Sequence, residues 1–96
     1  MEVLVAYDVA TDDAAGRRRL HRVAKACEGF GQRVQKSVFE CVLSESELAL
    51  LEARLLRLID PNRDSLRLYR LREPRASYTR IIGVDVPHDI RDPLVL

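Results

Sequence analysis

Five apolar residues in a row, Val3 to Tyr7, end on a carboxylate at Asp8. A strand with no polar face has nothing to turn toward water. It must run through the centre of a sheet or be covered on both sides. Later segments then have to return along its flanks, which restricts the fold to a few small layered architectures. Asp8 raises a separate question, because acids recur at Asp12 and Asp13. A strand-end acid can close an Asx turn, and an acid just before a helix can cap it. It can also be a metal ligand or a catalytic acid.

A helical pattern begins once the acids are passed. Asp12 or Asp13 is placed to cap a helix from about Ala14 to about Glu28, with Leu20, Val23, Ala24 and Cys27 as its buried stripe. Arg17, Arg18, His21, Arg22 and Lys25 fall away from that stripe. Gly29 and Gly31 offer the left-handed conformation that ends helices. In the β-rich stretch from Arg33 to Leu43, Phe39, Cys41 and Leu43 alternate with Glu40 and Val42. Val34 is out of step with Phe39, which predicts a bulge or short turn around Gln35 to Ser37. Two short strands, or one broken strand, are expected there.

Ser44 and Glu47 make a capping box. The helix it opens should run from about Glu45 to about Ile59, with Leu48, Leu51, Leu55, Leu58 and Ile59 toward the core. Pro61, in "DPNRD", stops it. Ser65 to Leu71 alternates as a strand, "EPRASY" reads as a loop, and Arg80 to Val86 reads as one more strand, interrupted by Gly83. The order is β-α-β-β-α-β, the ferredoxin-like split pattern of an α+β sandwich, with an extra C-terminal strand. A strand with no place in a four-stranded sheet predicts a homodimer in which Arg80 to Val86 packs against a second copy. One domain is expected over residues 1–86, followed by an irregular tail at 87–96.

Composition narrows the function. The 96 residues are 47% apolar, enough for one modest core. No apolar run approaches the ~20 residues of a membrane helix, and "MEVLVAYD" has no basic region of a secretory signal. Cys27 and Cys41 lack zinc-ligand or CxxC spacing. Reduced thiols and a cytoplasmic location are the expectation. Net charge is only +1, yet it is unevenly spread. Residues 14–36 carry seven basic side chains against Glu28 alone, a local +6; residues 37–62 carry two arginines against five acids, a local −3. Arginine supplies 14 of the 16 basic residues, which suits bidentate pairing with phosphate or carboxylate. Such a face is either a solvated helix surface or a polyanion-binding one.

An apolar strand ending in Tyr7-Asp8 is followed by a basic helix, "GRRRL", and by "GQRVQKSVFEC". An acid-capped leucine helix, "IDPNRDSLRLYRL" and "IIG" complete the series. This order resembles the small CRISPR-associated adaptation protein family, Cas-two, partner of the integrase in spacer acquisition. The resemblance covers nearly all of residues 2–86; "RVQKSVFEC" is its most specific part. It implies a ferredoxin-like homodimer with Asp8 at the two-fold, facing its mate across a cleft. The implied function is a dimeric adaptor that binds duplex DNA and bridges integrase subunits. The alternative is an endonuclease dependent on Mg2+ or Mn2+, cutting single-stranded RNA or duplex DNA. A ribonuclease toxin on a related fold fits the whole order less well.

Asp8 is therefore the candidate catalytic and metal-binding residue. One carboxylate is a poor magnesium site, and a two-fold axis would double it. Arg17, Arg19 and Arg33 match positions that are basic in the family; with Arg18 and Arg22 they are the candidate nucleic-acid contacts. Lys25 can extend the track. Tyr7, Ser37 and Phe39 are candidate cleft residues. Tyr7 faces opposite to Asp8 on a strand, so packing is its first reading; Phe39 reads most simply as core or dimer packing. Ser37 can contact phosphate or close a turn. As a nucleophile it lacks a base, since the only histidines are His21 and His88. The acids Glu45, Glu47 and Glu52 and the tail "PLVL" are candidate integrase contacts.

Overall fold

In the computed structural model, which describes residues 1–84, the first strand is central. The strands β1 (Glu2–Asp8), β2 (Gly31–Gln35), β3 (Val38–Val42) and β4 (Ser65–Leu71) form one sheet in the order β2-β3-β1-β4. All neighbours are antiparallel. Helices α1 (Ala14–Glu28) and α2 (Glu45–Leu58) complete the β-α-β-β-α-β order. They cover one face of the sheet. There Val3, Val5 and Tyr7 are buried with Phe39, Cys41, Val23, Cys27, Leu51 and Leu55. Leu20, Leu48, Leu58 and Ile59 pack around this core partly buried.

Local chemistry explains the boundaries. Asp13 is the cap of α1, its Oδ1 accepting from the Gly16 N–H at 2.7 Å. Ser44 and Glu47 form the expected reciprocal box: Glu47 N–H donates to Ser44 Oγ at 3.1 Å, and Ser44 N–H to Glu47 Oε1 at 2.9 Å. The left-handed stop expected at Gly29 and Gly31 is not used. Gly29 has a right-handed φ of −73°, and Gly31 already opens β2. Gly31 is needed for a different reason: a Cβ there would lie 2.3 Å from Cys41 Sγ and 2.6 Å from the Glu40 carbonyl oxygen. The register shift falls between Arg33 and Gln35, so Val34 is the extra residue, just upstream of the Lys36–Ser37 turn.

Among the described residues no α-helix lies on the second face of the sheet. By register, Glu2, Leu4, Ala6 and Asp8 share that face with Val38, Glu40 and Val42 of β3 and with Ser65, Arg67, Tyr69 and Leu71 of β4. Val42 is 67% exposed and Tyr69 43%. After β4 a 3-10 turn, Arg75–Ser77, returns across one end of the face. Arg75 N–H donates to Glu2 Oε2 at 2.8 Å, and its guanidinium pairs with Glu2 at 3.3 Å and Glu40 at 3.2 Å. The strand expected over Arg80 to Val86 is not formed within the chain over its described part, 80–84. Ile81, Ile82 and Val84 are exposed, and α1 and α2 lie on the other face of the sheet. Asp85, Val86 and the tail at 87–96 lie outside the described residues, and so does the boundary expected there.

Candidate functional site at the end of the first strand

Strand parity sends Tyr7 inward and Asp8 outward. Asp8 is exposed at the end of β1, paired with Ser65, on the helix-free face. Among the described residues its carboxylate joins no ion pair. An Asx turn would require it to accept from the N–H two residues on, that of Ala10. That N–H donates instead to Asp64 Oδ1 at 3.1 Å. The turn after β1 is thus closed by a distant acid, and the Asp8 carboxylate is left for other partners.

Asp64 is the last residue of the "DPNRD" stop signal, and its side chain is fully buried. It accepts four hydrogen bonds: from the Ala10 N–H, from the Asp60 N–H at 2.8 Å, and from Arg19 Nε at 2.9 Å and Nη2 at 3.3 Å. Burial pushes its carboxyl pKa up. The Arg19 fork and the two backbone N–H groups outweigh burial and hold it below the usual carboxylate value. Beside this knot Arg63 pairs with Asp13 at 2.8 Å and with Asp12. Asp12 is therefore an ion-pair partner and Asp13 both cap and partner.

The five candidate arginines separate. Arg19 is turned inward onto Asp64. Arg33 lies over the Phe39 ring, its Cζ 5.3 Å from the centroid, with a buried Nε that has no hydrogen-bond partner. Arg17 reaches the Thr11 carbonyl at 3.5 Å, and Arg17, Arg18 and Arg22 are exposed along α1. The three cleft candidates separate too. Phe39 is fully buried and Tyr7 is 6% exposed, with ring centroids 6.3 Å apart, so both belong to the core. They cannot line an open cleft of the chain. Burial raises the Tyr7 pKa, only partly offset by Arg33. Ser37 sits in the β2–β3 turn, where its carbonyl accepts the Tyr7 N–H at 3.1 Å. His21 is exposed on α1, as expected.

The described donor set of one chain does not fit a divalent cation. Among the described residues no group of three or more His, Cys, Asp or Glu side chains could hold a metal. Asp8 is one ligand where magnesium takes oxygen from several.

A family sequence model described as CRISPR associated protein Cas2 matches residues 1–78. The chain belongs to the Cas2 family. It is 52% identical to CRISPR-associated endoribonuclease Cas2 1 of Moorella thermoacetica over the whole of both chains. It is 46% identical to CRISPR-associated endonuclease Cas2 of Halalkalibacterium halodurans, over 99% of each. A crystal structure of Streptococcus pyogenes Cas2 at pH 6.5 superposes with a TM-score of 0.79 at 46% identity, covering 86% of this chain and all of that one. These matches make the chain a CRISPR-associated protein with the Cas2 fold. No described helix is long and apolar enough to cross a membrane.

Sequence reading missed Asp64, Arg63 and Arg75. Each stands in a segment whose local signal is a turn, and each acts on a residue far along the chain. Only the density of charges in "DPNRD" hinted that the turn did more than stop a helix.

Proposed function

We propose that this Cas2 chain works in the cytoplasm as a homodimer that grips duplex DNA during spacer acquisition and bridges subunits of the CRISPR integrase. The helix-free sheet face carries this reading. It presents exposed Val42 and Tyr69 and has Asp8 at one end, and the same chain leaves Ile81, Ile82 and Val84 exposed after β4. Isologous pairing through such a face uses the same residues twice, so each Asp8 has a symmetry mate on the joined surface. Within the Arg80 to Val86 segment, Ile81, Ile82 and Val84 would gain in the second copy the cover that the described residues do not give them. Arg17 and Arg18, exposed at the start of α1, the helix that follows the Asp8 turn, would meet phosphate. The exposed acids Glu45, Glu47 and Glu52 of α2 are offered as integrase contacts.

A second reading is favoured by the unpaired Asp8 carboxylate and by relatives named endoribonuclease and endonuclease. Here the dimer hydrolyses phosphodiester bonds in single-stranded RNA or duplex DNA. Two Asp8 side chains would hold Mg2+ or Mn2+, which in this role supplies charge neutralisation and a more acidic water. Asp8 would bind and orient, and the nearby arginines would hold the phosphate.

One comparison separates the readings. Asp8→Asn should lose cleavage of RNA and duplex DNA in Mg2+ or Mn2+ by ~100-fold or more, while keeping the wild-type dimer mass and duplex affinity. Wild-type cleavage by that variant would remove Asp8 from the chemistry. A wild type that binds duplex and captures integrase without cutting would leave the adaptor reading alone. A clean monomer by light scattering would overturn both.

A further inference from the structure

The side of the molecule opposite the open sheet face carries a second feature. Between α1 and α2 lies a shallow groove of about 480 Å3, lined by Arg22 and Lys25 on one helix and Arg54 and Arg57 on the other. Ala26 and Leu58 complete its lining. Outside the groove Arg19, Arg63, Arg70 and Arg75 each pair with a carboxylate, while among the described residues Arg17, Arg18, Arg33, Arg67, Arg72 and Arg80 do not. Among the described residues, none of the four groove cations does. Four like charges around one groove repel, and an anion among them relieves that repulsion; Arg54 also lies over the Phe30 ring, its Cζ 5.7 Å from the centroid.

The arrangement suits a phosphate backbone. Each helix contributes its pair at i and i+3, which puts the two side chains on one face with their Cβ atoms ~5–6 Å apart. On α1 the row continues from Lys25 through Arg22 to exposed Arg18, a rise of ~10 Å. Three of the four lining cations are arginines, whose fork fits phosphate oxygens in pairs. Two apolar side chains are too little for a protein helix, whose docking needs an apolar stripe.

We infer that the α1–α2 groove is a second duplex-DNA contact, gripping the sugar–phosphate backbone on the outer side of each protomer. The inference rests on the proposed nucleic-acid role and deepens it. A dimer joined through the sheet faces leaves both helix layers outside, so one assembly would present two such grooves. Arg54 and Arg57, in the otherwise acidic middle of the chain, become contacts alongside Arg22.

The test uses Lys25→Gln/Arg57→Gln, one exposed residue from each wall, and fluorescence anisotropy on a short synthetic duplex. Binding is followed between about 50 and 200 mM salt, where each phosphate contact adds ~0.9 to the slope of log affinity against log salt. The double variant should bind ~10-fold more weakly at the lower salt and show a slope shallower by about 1.8. Lys25→Arg/Arg57→Lys, with the charges kept, should retain the wild-type slope. Wild-type affinity and slope in Lys25→Gln/Arg57→Gln would overturn the groove while leaving the proposed function standing. A wild type that shows no salt-dependent duplex binding would sink both. Loss of an acidic protein partner, with duplex binding intact, would assign the groove to protein instead.

Discussion

Asp8 and Asp64 exchange the roles that their local contexts suggest. Asp8 stands where a turn-closing acid belongs, yet Asp64 accepts the Ala10 N–H. The two thiols show the same dependence on surroundings. Burial pushes Cys27 up to about 12 and Cys41 up to about 11, and each lies in the core. At neutral to mildly alkaline pH almost no thiolate forms, so neither is a nucleophile in the folded protein. Both should resist iodoacetamide in the native state and react fully once denatured, as mass spectrometry would read. Rapid native labelling of either would contradict its place in the core.

Helix α1 shows how far the local signal reaches. Its bounds, its cap and most of its buried stripe follow from periodicity and one short acid. Gly16 does not. Helix propensity alone makes Gly16→Ala stabilising by ~1 kcal/mol. In the fold a Cβ at that position would lie 1.9 Å from the Ala10 carbonyl oxygen. Backbone would have to move, and it is the backbone of the turn that follows Asp8. Gly16→Ala should therefore destabilise by about 1–3 kcal/mol, measured as a lowered urea midpoint with the slope unchanged. The strands repeat the lesson. Val34 announced a bulge by its parity, while the reason Gly31 must be glycine lies in Cys41 on the neighbouring strand.

Across the whole molecule, Asp64 ties the turn after β1 and helix α1 to the segment before β4. Its folded pKa is held below the unfolded value of ~3.9. The stability this contributes is present above ~pH 4 and is lost as pH falls through the lower folded value. Asp64→Asn should lower the melting temperature near neutral pH, and the gap to wild type should close in acid. A gap that does not depend on pH would show that the carboxylate's charge is not what holds the two segments. Charge is also divided at this scale. Ion pairing holds Arg19, Arg63 and Arg75 within the fold, while Arg17, Arg18 and the four cations of the α1–α2 groove join no ion pair among the described residues.

The element order, both helix spans, the capping box, the central place of β1 and the outward turn of Asp8 were legible in the sequence. Each depends on periodicity or on hydrogen bonds between near neighbours. Which carboxylate closes the first turn, which arginines are engaged and which aromatics are core were decided only by tertiary structure. Those outcomes rest on partners such as Ala10 and Asp64, 54 residues apart, and Arg19 and Asp64, 45 apart. A charged side chain reads the same in sequence whether its partner is a buried acid or a phosphate, and only the folded geometry separates the two.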